Sequence, residues 1–254
     1  LEVTIMSEIV VSYPHWHPSF EPKRLRREEI WQIAESVRRQ VCGPIDRPKI
    51  AAARMMERTR RLKVNGISFD VHWEFKGALT DEFGNPVLGL TTHDERWSNA
   101  AMVYLNSDEI REREDLARST AAHELGHSIF EVPAWIARWR RRQGTETVSE
   151  RRYQTAAEAE AGGPGKMDWG EWRCNEFMGG CLTPLRLFHL HVHKRAAALG
   201  VPMTGGDKSL PIINGRKACS DSIEELAIEL AAIFGVSIPF IHIRMRKYRL
   251  ISAA

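Results

Sequence analysis

Apolar side chains recur every three to four positions in LRREEIWQIAESVRRQ (25–40) and PKIAAARMMERTRRL (48–62), the spacing of one buried helical face. Two helices are expected there, parted by the Gly- and Pro-bearing CGPIDRP (42–48). The pattern then shifts to β-branched and aromatic residues in ISFDVHWEF (67–75), PVLGLTTHD (86–94) and AAMVYLN (100–106), with Gly, Asp and Asn between the runs. These predict three strands of a small antiparallel or mixed sheet. Helical spacing returns through residues 119–130 and in PAWIARWRRRQ (133–143), where Pro133 suits a first turn. It returns twice more within IEELAIELAAIFGVSIPFIHIRMRKYRLI (223–251). SERRYQTAAEAEAGGPGK (149–166) reads as exposed and ends in a Gly-Pro-Gly stretch. The expected class is α+β: an irregular arm (1–24), a sheet with surrounding helices (25–200) in which 131–170 is an insert or lid, a linker (201–220) and a helical tail (221–254).

Composition narrows the compartment and the partners. At 254 residues and 43% hydrophobic content the chain can bury a substantial core. It has no apolar run of about 18 residues and no segment built like a signal peptide, so the expectation is a cytoplasmic protein without a membrane span. Cys42, Cys174, Cys181 and Cys219 form no C-x-x-C pair. Cys174 and Cys181, on one expected helix, would stand about 10.5 Å apart along its axis, too far for a disulfide. Reduced thiols follow. A formal charge of +3 requires neither a nucleic-acid partner nor an acidic substrate.

The chemistry concentrates in STAAHELGHSIFEVP (119–133). His123 and His127, four apart, stack on one helical face with side chains about 5–6 Å apart, so both rings can reach one ion. A catalytic zinc takes three protein ligands and leaves a fourth position for water. Glu124, about 100° around the helix from His123, can reach that water without being a ligand, the arrangement of H-E-x-x-H. Gly126 costs the helix roughly 1 kcal/mol, which is reasonable if another backbone approaches closely there. A third histidine in the H-E-x-x-H-x-x-G-x-x-H pattern is excluded, since Phe130 and Pro133 fill its glycine and histidine places. A glutamate from a second helix is the other common solution, and GEWRCNEFMGGCLTP (170–184) offers Glu171, with Asn175 four residues later on the same face.

T-A-A-H-E-L-G-H taken with E-W-x-C-N-x-F and the following L-x-P resembles the ImmA/IrrE family of small bacterial and phage metallopeptidases. The resemblance extends over most of residues 25–251 and is strongest at 118–130 and 171–184. Cys174 in place of an alanine, Met178 and Gly179, and the long segment between the motifs depart from it without removing a ligand. It implies a minimal gluzincin-like core and one zinc held by His123, His127 and Glu171. It further implies Glu124 as general base and Asn175 behind a ligand histidine, in the place where related enzymes carry an Asp. AAMVYLN resembles the strand before the active-site helix, so Met102, Val103, Tyr104 and Leu105 are expected at a sheet edge where a substrate peptide pairs. The implied substrate is a helix-turn-helix repressor or an antitoxin, cut once.

An electrophile that steadies the transition state is expected among His93, Tyr104, Tyr153, His189 and His193. The last pair, in FHLHVHK (188–194), also stands four apart, but with no adjacent Glu or third ligand for a metal of its own. L-A-x-x-F-G-V-S in the tail is similar to a helix-turn-helix. A DNA-reading helix would open with polar residues, whereas this one opens with Ile238, Pro239, Phe240 and Ile241. DNA binding through Arg244, Arg246, Lys247 and Arg249 is therefore the lesser expectation. Two other functions stay open: a broad small-peptide peptidase, and a zinc-stabilised transcription regulator that cuts nothing.

Overall fold

Glu28 and Glu29 face the positive end of the first helix, and the Glu29 carboxylate accepts from the Arg26 backbone N–H at 2.7 Å, closing its N-terminus. This helix, α1 (Arg27–Cys42), buries Ile30, Trp31, Ala34, Val37 and Val41 on one face and stops at Gly43, whose φ of 75° a side chain would strain. The computed structural model describes residues 8–43, 47–81, 83–93, 97–142, 168–205 and 211–252, and the backbone of 150–155.

The expected second helix is shorter, α2 (Ala52–Arg58), because the chain turns to strand at β2 (Arg61–Val64). Leu62 and Val64 are buried between exposed Arg61 and Lys63, an alternation with the period of a strand. Asn65 and Gly66, at φ 51° and 89°, then form the two-residue turn that a right-twisted hairpin needs. The next three strands fall where the pattern put them: β3 (Ile67–Lys76), β4 (Val87–His93) and β5 (Ala100–Asn106). Two more were not anticipated. Residues of the arm expected to be irregular form β1 (Ile9–Val11), and β6 (Glu150–Thr155) arises inside the segment read as exposed.

These make one mixed six-stranded sheet in the order β1-β2-β3-β5-β4-β6. The order corrects the expectation for β5: it pairs in parallel with β3 and antiparallel with β4, so Met102, Val103, Tyr104 and Leu105 lie inside the sheet and offer no free edge. β3 and β4, consecutive in the chain, do not pair because β5 inserts between them, and residues 150–155 cover the far side of β4. At the opposite edge the Gln40 side-chain amide both accepts from the Val10 N–H at 2.8 Å and donates to the Val10 carbonyl at 2.9 Å, taking the place of a neighbouring strand.

The remaining helices are α3 (Ser107–Ile110), α4 (Glu114–Phe130), α5 (Val132–Arg142), α6 (Trp169–Leu182), α7 (Leu185–Ala198), α8 (Ser220–Phe234) and α9 (Ile238–Lys247). The chain divides into two units. The first holds the residues up to 46 and Ala51–Cys181, and therefore the sheet and α1 to α6. In the second, Arg47–Ile50 join Leu182–Ala254. A short hairpin, β7 (Met203–Thr204) with β8 (Ile212–Ile213), lies within the expected linker. α8 ends on left-handed Gly235 and α9 opens on Ser237, whose hydroxyl accepts from the Phe240 N–H; the two helices meet at 103°. Among the described residues no single helix is long and apolar enough to cross a membrane. None of the four cysteines forms a disulfide.

Candidate metal centre

Every residue from Thr120 to Phe130 is buried, so α4 runs through the interior of the first unit instead of lying on its surface. Its end is set by Pro133, which has no N–H to give the Ile129 carbonyl. The Tyr13 hydroxyl supplies that bond at 2.8 Å, and the Tyr13 ring packs on Phe130. α4 therefore breaks at Glu131 before α5 begins.

The second helix of the site, α6, is clamped from two sides. α1 holds it through a bond from the Trp31 indole to Glu176 at 2.9 Å, an ion pair from Arg27 to the same buried carboxylate, and a bond from Arg38 to the Cys181 carbonyl at 2.7 Å. α4 meets it at Gly126, where a Cβ would stand 3.1 Å from Cys174 Cα and 3.3 Å from its Sγ. The absent side chain lets the two backbones close together, as the cost of a glycine in this helix suggested.

That approach brings His123, His127 and Glu171 to one point. The two Nε2 atoms are 3.0 Å apart, and the Glu171 oxygens lie 3.2 Å from His123 Nε2 and 3.3 Å from His127 Nε2. Ligands about 2.05 Å from a tetrahedral ion stand about 3.3 Å from one another. The three side chains thus sit at the separations that one such ion imposes, and among the described residues they are the single group of His, Cys, Asp and Glu able to hold a metal. Burial tends to raise the Glu171 carboxyl, but the hydrogen bonds with His123 and His127 pull it far below the usual carboxylate range. Burial of the His127 ring opposes a charge there, and Cys174 and Glu131 beside it act the other way; with the Cys174 thiol protonated, the Glu131 carboxylate is the charge that raises the proton affinity of the ring above that of free imidazole. Any metal must displace that proton. Burial pushes the Cys174 thiol up to about 12, so it stays protonated and is not a thiolate ligand.

Glu124 is fully buried and outside this ligand set. Two residues of β4, neither signalled by the sequence pattern, hold it. The Thr91 hydroxyl donates to Glu124 Oε2 at 2.6 Å, and Gly89 leaves the room its carboxylate fills, since a Cβ there would lie 2.5 Å from Oε1. Burial raises the Glu124 carboxyl; the neighbouring His127 and His123 and the Thr91 bond oppose the rise. A carboxylate so placed is a base that can take and return one proton.

The supporting groups differ from expectation. Asn175 is half-buried and, among the described residues, bonds to neither histidine. The side chain beside His127 Nδ1 is Glu131, its Oε2 3.4 Å away. Glu131 is four residues after His127, a spacing that the sequence itself carries. Tyr104 pairs with Leu90 while Val103 pairs with Thr91, so Tyr104 lies on the sheet face opposite Glu124, near Lys76. His93 shares the face of Gly89 and Thr91, and its Nδ1 is 2.8 Å from the Ala100 carbonyl. His189 and His193 belong to α7 in the second unit, where His189 Nε2 donates to the Pro211 carbonyl at 2.6 Å and His193 is exposed. The Tyr153 side chain and the Gly-Pro-Gly stretch of the expected lid fall outside the described residues. Arg244 is buried and stacked on Tyr248, which removes it from the basic set of the tail.

The chain matches no protein-family model and no curated protein sequence.

Proposed function

We propose that this chain is a zinc-dependent endopeptidase of the kind the ImmA/IrrE resemblance implies, acting on a helix-turn-helix repressor or an antitoxin. The observation that carries the reading is the convergence of His123 Nε2, His127 Nε2 and the Glu171 carboxylate at tetrahedral ligand spacing, with the carboxylate of Glu124 held separately by Thr91. Two imidazoles and one carboxylate are a donor set suited to zinc with an open position. When bound, the ion would polarise the scissile carbonyl and lower the pKa of water toward about 7. Glu124 takes the proton of the attacking water and delivers it to the departing amine. Thr91 keeps that carboxylate in place, and Gly89 keeps its space open. His93, on the same face of β4, is the first candidate to steady the developing oxyanion. A peptide extending the sheet on this side would pair with β6, since β5 is interior.

Glu124→Gln tests the assignment, because it keeps volume and hydrogen bonding but cannot accept the proton. Wild type and variant are incubated with the products of the adjacent genes and the fragments read by mass spectrometry. The expected result is a cut by wild type that falls about 10²–10⁴-fold in Glu124→Gln with zinc retained. Equal cutting by both would remove Glu124 from the chemistry.

A further inference from the structure

We infer that Glu131 is the positioning residue of the metal centre: its carboxylate takes the Nδ1–H of His127 and fixes the ring so that Nε2 points at the metal. The inference rests on the metal-site reading and identifies the group that supports it. Four observations converge on this side chain. His127 uses Nε2 toward His123 and Glu171, which leaves Nδ1 as its outward nitrogen; this buried atom closes no hydrogen bond, and the Glu131 Oε2 acceptor stands 3.4 Å from it. Glu131 is 7% exposed, and its backbone N–H caps α4 on the His127 carbonyl at 2.9 Å, so ring and carboxylate are tied to one turn. The break after α4, made by Pro133 and sealed by Tyr13 on Ile129, is what places residue 131 at a helix end. Finally, Gly170 gives the carboxylate its room, for a Cβ there would collide with Glu131 Oε1. Gly170 immediately precedes the ligand Glu171, so the start of α6 supplies one ligand and shapes the support of another.

A histidine held through its second nitrogen by a carboxylate has one tautomer and one ring orientation, and removing such a support typically costs 10–100-fold in metal affinity. Asn175, which makes no bond to either ring among the described residues, has no such effect. The test is zinc affinity by competition with a chromogenic chelator, in the full chain at one pH, for wild type, Glu131→Ala, Glu131→Gln, Asn175→Ala and Gly170→Ala. The expected result is a 10–100-fold loss in Glu131→Ala, near-complete rescue in Glu131→Gln, whose amide oxygen still accepts from Nδ1–H, and no change in Asn175→Ala. Gly170→Ala leaves residue 131 intact but displaces its carboxylate, and weakens zinc in the same direction; it carries the test if Glu131→Ala does not fold. Wild-type affinity in Glu131→Ala, or an equal loss in the Ala and Gln variants, overturns the inference. His123→Ala separates the two levels: its loss of zinc with Glu131→Ala unaffected refutes only the role of Glu131, whereas a wild type that binds no zinc refutes the metal reading and the inference together.

Discussion

The pairing of His123 with His127 was legible because their relation is local: four residues of a helix place two imidazoles side by side whatever the rest of the chain does. Thr91 and Gly89 were not legible, since their roles exist only where β4 crosses beneath α4. Thr91→Val should therefore matter as much as a change on the motif helix itself. It removes the hydroxyl but keeps the shape, and a hydrogen bond to a charged group is worth about 1.5–3 kcal/mol, so activity should fall roughly 10–100-fold with zinc still bound. The sign of the accompanying pH effect follows from the contact. Burial already raises the Glu124 carboxyl and the Thr91 bond lowers it, so losing the bond raises it further, and the acid limb of the rate profile should move to higher pH. A rate profile superimposable on that of wild type would show that Thr91 does not bear on the base.

Among the elements, periodicity located β3, β4, β5 and α4 but could not order the strands. Nothing along the chain says that β5 enters between β3 and β4, or that residues 150–155 return to cover β4, because pairing between distant segments is settled by which surfaces remain to be buried. The missed hairpin is different. Val64-Asn65-Gly66-Ile67 carries a strong short turn signal, and the alternation of Arg61 to Val64 was absorbed into the tail of a predicted helix. Gly126 tests how closely the two motif helices must pack. Gly126→Ala gains helix propensity but sets a methyl 3.1 Å from Cys174 Cα, and overpacking of this kind costs about 1–3 kcal/mol. Because α6 carries Glu171, the variant should lose zinc affinity along with thermal stability, as read by chelator competition and melting. A variant as stable and as tightly metallated as wild type would mean that α6 can shift freely.

At the level of the whole molecule, the proposed metal site would couple folding to metal and to protons. Without metal, the depressed Glu171 carboxyl contributes stability that is present above the ordinary carboxylate range and lost as pH falls through its folded value. The raised His127 contributes stability that is present below about pH 6.5 and lost as pH rises through its folded value. Zinc must displace the His127 proton, so its stabilisation grows with pH, and the melting difference between zinc-loaded and chelated protein should widen from pH 5.5 to 7.5. At a free zinc concentration of about one hundred times Kd the stabilisation is about 2.7 kcal/mol, roughly 5–10 °C for a chain of this size. A gap that narrows with pH would contradict the assignment of a proton to the site. Metal content per chain, measured after extensive dialysis in wild type, Glu124→Gln and Glu171→Ala, tests the arrangement most directly. One zinc in wild type and in Glu124→Gln, with much less in Glu171→Ala, is the predicted result; equal zinc in wild type and Glu171→Ala would contradict it.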